Sequence, residues 1–313
     1  MGKASRTKQD ADRRARVAAQ REAQRRAEQR KRIYIAGGSI LVVAIIVVAV
    51  VLVKLNSSPG SGPAAPSGTA LSAVVKQVED VPSSVTDKVG GGGASPSAFV
   101  STATTAAVTS AAANGNYFGT INGTLLTSGG KPEVLYIGGE YCPYCAAERW
   151  AMVNALSRFG TFSGLKTAHS SSTDVYPNTP TFTFYGSSYT SKYLTFTPVE
   201  AYGETSSTTL QTPTAADTSQ WQTYDPNGSI PFLDLATKYV QVGNLSPLTP
   251  SMLAGKTWAQ IAAAMANPTG SSLGTAEDGN ANYITAGICK LTNNLPATAC
   301  TPSIQQLQSN FAS

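Results

Sequence analysis

Two cysteines separated by two residues, Cys142 and Cys145, stand where an apolar run changes into a run of helical character. Residues 134–137 predict a strand, and residues 146–153 predict the helix that follows. A Cys-x-x-Cys pair at such a junction suits reversible disulfide exchange, because free N–H groups at the start of a helix stabilise a thiolate. The spacing also brings both sulfurs onto one face of the first turn. The motif therefore predicts Cys142 as the attacking thiol and Cys145 as the resolving thiol.

A long uncharged segment precedes this motif. Residues 33–53 contain no charged side chain, and a helix of that length, at about 1.5 Å per residue, spans the ~30 Å hydrocarbon core of a bilayer. The apolar part of a cleavable signal peptide is shorter, about 7–15 residues, so we favour an uncleaved transmembrane helix at residues 33–54. Residues 1–32 hold twelve Lys or Arg against four Asp or Glu, which predicts a cytoplasmic tail by the positive-inside bias. The C-terminal domain is then predicted to be extracytoplasmic, anchored in the cell membrane by a single span.

The net charge of +5 is concentrated in this tail. From residue 55 onward the chain has ten Lys or Arg and fourteen Asp or Glu, so the exported part is mildly acidic. A basic helical tail is one way of binding nucleic acid. A topology signal that is also attracted to anionic lipid is the simpler interpretation. We therefore predict the lipid bilayer as a partner and no nucleic acid.

Two more cysteines, Cys289 and Cys300, also lie in the predicted exported part. An even number of cysteines in an oxidising compartment indicates disulfides, and four cysteines allow three pairings. The short gap favours pairing of Cys142 with Cys145, which leaves Cys289 with Cys300. We favour a structural disulfide for this second pair. The alternatives are a second redox pair that relays electrons and a four-cysteine zinc site, although the second spacing does not fit zinc well.

The composition divides the exported part into two regions. Residues 55–113 are rich in Ser, Pro, Gly and Ala and predict a stalk or linker, within which residues 71–81 could form a short helix. Residues 114–313 predict one α/β (α+β) domain, with a central sheet flanked by helices. An insertion after the Cys-x-x-Cys helix is predicted at about residues 161–225, and a C-terminal extension at about residues 268–313.

Two elements close this domain. Residues 230–243 predict a hairpin, which Ile230 and Pro231 introduce. A helix is predicted to begin at residues 249–251. Its apolar stripe would be formed by Trp258, Ile261, Ala262 and Met265.

The order strand, Cys-x-x-Cys, helix, Ile-Pro, hairpin and closing helix resembles the thioredoxin fold. In that family a cis-proline precedes the hairpin and faces the two cysteines, so the resemblance implies this role for Pro231, with Ile230 beside it. The backbone there would pair with an extended substrate next to Cys142, and Tyr141 and Tyr144 could line the substrate groove. The Pro-Tyr dipeptide between the cysteines is similar to that of glutaredoxins and close to the Pro-His of bacterial disulfide oxidases.

A narrower resemblance is carried by residues 131–162 (KPEVLYIGGEYCPYCAAERWAMVNALSRFGTF), with SIPFLD at 229–234 and ITAGICKLTNN at 284–294. These segments resemble a family known as domain of unknown function 929, which occurs in actinobacteria and some archaea and looks thioredoxin-like. The resemblance covers roughly residues 81–300. It implies a thioredoxin-like fold and redox chemistry, but no substrate.

Three positions depart from the thioredoxin pattern. Six residues before the first cysteine, where thioredoxins have a buried Asp that helps proton transfer, this chain has Tyr136. Tyr141 stands where thioredoxins have a Trp, and no His lies between the cysteines. These departures do not favour a reducing, thioredoxin-type role. The only histidine, His169, is more readily explained as a surface or core residue than as a catalyst.

Three functions fit these features. The first is a membrane-anchored thiol-disulfide oxidoreductase that acts on cysteines of exported proteins and is recycled by a membrane redox partner. The second is a non-catalytic envelope binding or scaffold protein, which Tyr136 and the long insertion would suit. The third is a metal chaperone that uses the soft thiolate pair. No cofactor and no resident metal site are predicted.

Overall fold

The computed structural model describes the greater part of the chain after the predicted anchor, namely residues 62–93, 99–101, 118–121, 123–243 and 248–311. The predicted cytoplasmic tail and transmembrane helix, residues 1–32 and 33–54, lie outside these ranges. In the described residues, no helix is long and apolar enough to cross a bilayer.

The described residues form both helices and strands, with two α-helices before the first strand and three α-helices after the last. The α-helices are α1 (Gly68–Glu79), α2 (Ser83–Val89), α3 (Pro143–Ser157), α4 (Ala215–Tyr224), α5 (Trp258–Ala266), α6 (Ser272–Leu291) and α7 (Pro302–Leu307). The first strands are β1 (Phe99–Ser101), β2 (Phe118–Thr120), β3 (Thr127–Ser128), β4 (Lys131–Gly139), β5 (Gly160–Ser163) and β6 (Lys166–His169). The later strands are β7 (Pro180–Thr183), β8 (Ser188–Ser191), β9 (Thr195–Tyr202), β10 (Phe232–Leu235) and β11 (Tyr239–Val242).

A mixed sheet with β4 at its centre organises the domain, as the predicted α/β class requires. Strand β9 runs parallel to β4 along one edge, and β10 runs antiparallel along the other. Beyond β10 the order continues with β11, β2 and β1, while β3 joins the first residues of β4. Because both edges of β4 are paired, its register is set on both sides at once.

Both faces of β4 are buried, which explains why its residues read as a continuous apolar run. Val134 and Tyr136 face a large core that α3, α5 and α6 complete. Leu135 and Ile137 face a smaller core on the other side of the sheet. Because successive side chains of a strand point to opposite faces, one strand contributes to both cores.

The region predicted as a stalk is in part a folded layer of the domain. Helices α1 and α2 pack against it, with Val74 and Val78 buried in the large core. The Asn154 side chain of α3 donates a hydrogen bond of 2.9 Å to the Val78 carbonyl. The short helix predicted near residues 71–81 therefore exists, but its apolar side is covered by the domain. The small and polar composition of this region gives no sequence pattern that would indicate this packing.

The predicted insertion at residues 161–225 also needs correction. Strands β5 with β8 and β6 with β7 form two small antiparallel sheets, which do insert after α3. Strand β9, however, lies within the predicted insertion and belongs to the central sheet. The β-branched and aromatic residues near 195 do indicate a strand, but its pairing with β4 is a long-range contact that no local pattern contains.

The predicted closing elements are confirmed with one shifted boundary. Strands β10 and β11 form the expected hairpin, and the four stripe residues of α5 are buried. The helix begins after Thr257, because Thr257 and Gln260 form a reciprocal capping box there. The earlier predicted start corresponds to a short 3₁₀ turn at Pro250–Met252.

A disulfide joins the last turn of α6 to the residues before α7, as the second cysteine pair predicts. Cys289 bonds to Cys300, and both residues are buried. The bond closes a loop with a sequence separation of 11 residues. It therefore holds the C-terminal extension against the domain core.

Carboxyl groups are buried where α3 meets α6. Glu148 of α3 accepts hydrogen bonds from Asn280 Nδ2 at 2.9 Å and Gln241 Nε2 at 3.4 Å. Burial raises the pKa of Glu148 to about 7, against these hydrogen bonds. Burial raises the pKa of Glu277 still more clearly, and the nearby Glu148 and Asp278 add to it. These groups favour the protonated state in the folded domain.

The buried Glu148 predicts that the fold loses stability as the pH rises. The pKa of Glu148 is about 7 in the folded protein and about 4.5 in the unfolded chain. The protonated side chain therefore contributes stability that is fully present below pH 4.5 and is lost as the pH rises through about 7. Glu148→Gln cannot titrate, so relative to wild type it should gain about 3 kcal/mol of unfolding free energy between about pH 4 and pH 8. Urea unfolding followed by tryptophan fluorescence measures this difference, and parallel pH profiles for the two proteins would contradict it.

The disulfide predicts a second stability effect. The double variant Cys289→Ala, Cys300→Ala should unfold about 3 kcal/mol more easily, because the unfolded chain regains the entropy of the open loop. The same urea titration measures the loss under non-reducing conditions. An unchanged midpoint would show that the C-terminal extension is held by packing alone.

Candidate dithiol site

The two cysteines of the Cys-x-x-Cys motif occupy the first turn of α3. Cys142 is the N-cap residue, and its sulfur accepts the backbone N–H of Cys145 at 3.3 Å. Pro143 fills the first helical position, where a missing N–H removes no helical hydrogen bond. Cys142 is 6% exposed and Cys145 is fully buried. Both cysteines are free thiols in this structure.

The environment separates the acidities of the two thiols. A hydrogen bond from Cys145 lowers the pKa of Cys142 most, and the backbone N–H of Cys145 and the charge of Arg149 add to this against the effect of burial. Burial raises the pKa of Cys145 well above its usual range, and its hydrogen bond to Cys142 acts in the same direction. The environment therefore favours the thiolate of Cys142 over that of Cys145.

The residues predicted to bind substrate converge on Cys142. Its sulfur lies 3.9 Å from the carbonyl oxygen of Ile230, within the distance of a weak S–H···O hydrogen bond. The Ile230–Pro231 peptide bond is cis, which confirms this part of the expectation from the resemblance. Pro231 is buried, whereas Ile230 remains partly exposed. The backbone before β10 thus lies directly beside the Cys142 sulfur.

Four partly exposed tyrosines lie around the Cys-x-x-Cys turn in two contacting pairs. The ring of Tyr141 meets Tyr202 edge-on at 5.9 Å, and that of Tyr144 meets Tyr176 edge-on at 6.3 Å. Tyr141 and Tyr144 are predicted from the motif, whereas Tyr176 and Tyr202 are distant in sequence and carry no local signal. The tyrosines form an amphipathic rim that can contact both apolar and polar groups of a ligand.

Gly139 allows this rim to close around the cysteine. A Cβ atom at this position would lie 3.0 Å from Tyr202 Cβ, 3.1 Å from Tyr141 Cε1 and 3.2 Å from Ile230 Cδ1. Any larger residue would therefore push the two tyrosine rings or Ile230 away from the site. The Gly-Gly sequence before the motif is explained by this close approach.

Arg149 of α3 forms a buried ion pair that no pattern in the sequence predicts. Arg149 Nε and Nη2 donate to Glu200 Oε1 and Oε2 at 2.8 and 2.6 Å. Both side chains are completely buried. Burial opposes the charge of Arg149, but the adjacent carboxylate outweighs it and raises the pKa of Arg149 well above its usual value. Glu200 belongs to β9, so the pair connects the cysteine-bearing helix to the parallel strand.

Tyr136, six residues before Cys142, places a neutral group close enough to interact with both cysteines. Its side chain is fully buried, and its hydroxyl lies over Gly138, where a Cβ atom would be only 2.1 Å from it. Burial raises the pKa of Tyr136 well above its usual range, so the hydroxyl stays protonated. The guanidinium carbon of Arg149 lies 5.9 Å from the centre of its ring.

The remaining polar candidates lie apart from the sulfurs. The His169 ring is 3.0 Å from the Pro63 carbonyl oxygen and packs edge-on against Trp258 at 4.7 Å. It is a packing residue, as expected. Across the described residues, no group of three or more His, Cys, Asp or Glu side chains is arranged to hold a metal ion.

Comparison with known proteins identifies the family. The family model for Domain of unknown function (DUF929) matches residues 117–290, which is more than half of the chain. The chain therefore belongs to this family. No curated protein and no solved structure matches it.

The unequal thiols predict selective alkylation. In the reduced protein, iodoacetamide should modify Cys142 before Cys145, with half-maximal rate below pH ~8.5, the usual value for cysteine. In Cys145→Ala this midpoint should rise, because the hydrogen bond that lowers it most is lost. Peptide mass spectrometry over a pH series measures both effects. Faster labelling of Cys145 in the wild type would contradict the assignment of the attacking thiol.

Proposed function

We propose that this DUF929 protein is a membrane-anchored thiol-disulfide oxidoreductase that acts on cysteines of exported proteins. The observation that carries the proposal is the pair of unequal thiols at the start of α3. The environment of Cys142 favours its thiolate and leaves it 6% exposed, whereas Cys145 is 0% exposed and its thiolate is disfavoured. This asymmetry suits attack by one thiol and resolution by the other.

The proposed reaction proceeds through a mixed disulfide. When the protein acts as an oxidant, a substrate thiolate attacks the disulfide at Cys142, and Cys145 leaves as a thiolate that takes up a proton. A second substrate thiolate then attacks the substrate sulfur of the mixed disulfide, and Cys142 leaves. The substrate has lost two electrons and the protein has gained them. The reverse sequence reduces a substrate disulfide.

The topology around the cysteines supports a thioredoxin-like fold for the domain. The strands follow the order β9, β4, β10, β11, in which β9 is parallel to β4, β10 is antiparallel to β4, and β11 is antiparallel to β10. Helix α3 connects the two parallel strands, and the Ile-Pro pair stands immediately before β10 beside the cysteines.

The substrate we propose is an extended polypeptide segment that carries a cysteine. The Ile230 backbone beside Cys142 would pair with it, and the partly exposed rings of Tyr141 and Tyr144 would contact its neighbouring side chains. The basic tail and the uncharged segment at 33–53 support a location at the outer face of the cell membrane. A membrane redox partner would then recycle the dithiol.

The second cysteine pair is best explained as structural. Cys289 and Cys300 are bonded to each other and are 0% and 1% exposed. An electron relay needs a sulfur that a thiolate can approach in line with the disulfide bond. Two completely buried sulfurs therefore favour a stabilising role over a relay.

The proposed function predicts that Cys142→Ser loses exchange entirely. Exchange is assayed in both directions, as oxidation of a dithiol peptide and as reduction of a disulfide peptide. In both assays the rate with this variant should equal the background rate of the peptide with small-molecule thiol and no protein. Cys145→Ala should instead accumulate a mixed disulfide with substrate, because the resolving thiol is missing. Non-reducing electrophoresis of envelope proteins detects the trapped species.

The control is the double variant Cys289→Ala, Cys300→Ala, which should retain exchange because its cysteines lie outside the site. Unchanged activity in Cys142→Ser would disprove the mechanism. Absence of exchange in the wild type, with no trapped substrate in Cys145→Ala, would favour the scaffold hypothesis.

A further inference from the structure

A buried arginine lies one helical turn after Cys145, and one nitrogen of its guanidinium lacks a hydrogen-bond partner among the described residues. Arg149 follows Cys145 by four residues, so both side chains project from the same face of α3. Nε and Nη2 of Arg149 bind the two oxygens of Glu200. Nη1 has no hydrogen-bond partner among the described residues. An unpaired buried donor on a charged group is costly, so this arrangement calls for an explanation.

The (i, i+4) spacing places Arg149 on the face of α3 that carries Cys145. Arg149 is among the main electrostatic influences on both Cys142 and Cys145, and in each case it favours the thiolate. Its partner Glu200 belongs to β9, opposite Gly138 of β4, and also accepts the Phe184 backbone N–H at 3.2 Å. The Glu200 carboxylate therefore accepts hydrogen bonds from both Arg149 and the Phe184 backbone.

The tyrosine hydroxyls around the two sulfurs are neutral. Burial raises the pKa of Tyr136, of Tyr141 and of Tyr144, so the three hydroxyls remain protonated near neutral pH. Asp174 lies close enough to affect Tyr141 and Tyr144 but is not among the main influences on either cysteine. Arg149 is therefore the side-chain charge that acts most directly on the two thiols.

We propose that Arg149, held by Glu200, is a positioning residue that supplies the fixed positive charge behind the two active-site sulfurs. This inference deepens the proposed function and rests on it for its biological meaning. In the dithiol-to-disulfide step, the Cys145 thiolate attacks Cys142 Sγ, and the bond between these two sulfurs forms. The bond from Cys142 to the partner sulfur breaks, and the partner leaves as a thiolate that takes up the proton Cys145 released. Arg149 favours this step because its charge stabilises the thiolate of the fully buried Cys145.

The test measures the ionisation of one sulfur in the full-length chain. In a Cys145→Ala background, Cys142 is the only free thiol, because Cys289 and Cys300 are bonded to each other. The rate of iodoacetamide alkylation against pH then reports the Cys142 midpoint directly. Circular dichroism of each variant confirms that the fold is retained.

Removing the charge of Arg149 and removing the charge of Glu200 should shift the Cys142 midpoint in opposite directions. Arg149→Met should raise the midpoint by about one pH unit or more, because a nearby opposite charge lowers a pKa by roughly that amount. Glu200→Gln should lower it, because the arginine charge then stands unbalanced. Arg149→Lys, which keeps a positive charge, should remain close to the parent. A purely structural role for the pair would not produce shifts of opposite sign.

The matched control is Arg158→Met. Arg158 lies at the C-terminal end of the same helix, where it binds Asn282 and Asn154. It should leave the midpoint unchanged. If Arg149→Met fails to fold, the downward shift in Glu200→Gln and the parent-like midpoint of Arg149→Lys still decide the question.

The outcomes separate this inference from the proposed function. A midpoint that does not move in Arg149→Met and Glu200→Gln overturns the inference, even when the wild-type protein exchanges disulfides. Opposite shifts in the two variants support it, even when no exchange activity is found, in which case the proposed function alone is wrong.

Discussion

The central constraint in this structure is the burial of residues 134–139 of β4, a strand that has paired strands at both edges and packed cores on both faces. Such a strand has one possible register, because a shift by one residue would move Tyr136 and Ile137 to the wrong cores. It passes into α3 within a few residues, so the place of Cys142 follows from the place of the strand. Both the thiol pair and the backbone at Ile230 are held by this one element and its neighbours.

Charge is buried around α3 in two different ways. On one side, Arg149 and Glu200 compensate each other as a bidentate pair. On another, Glu148 is compensated only by amide groups, and burial raises its pKa. Buried ion pairs are weak sources of stability, because desolvation offsets most of the attraction. Their placement beside a dithiol is therefore better understood through the chemistry of the sulfurs than through stability.

Some features of the fold could be predicted from the sequence because they depend on residues that are close together along the chain. The Cys-x-x-Cys turn, the β10–β11 hairpin and the apolar stripe of α5 follow from patterns of neighbouring residues. The pairing of Cys289 with Cys300 follows from spacing, once Cys142 is assigned to Cys145. The rim tyrosines divide accordingly: Tyr141 and Tyr144 belong to the motif, while Tyr176 and Tyr202 reach it only through folding of the segment after α3.

The sequence by itself determined the reactive motif, the order of its main elements and the family to which the chain belongs. It could do so because helix starts, strand alternation and cysteine spacing are set by interactions between residues close along the chain. Only the tertiary structure decided that α1 and α2 belong to the domain, that β9 is a central strand, and that Arg149 meets Glu200. These depend on contacts across tens of residues, which are selected by how complete surfaces pack and which charges they bury together.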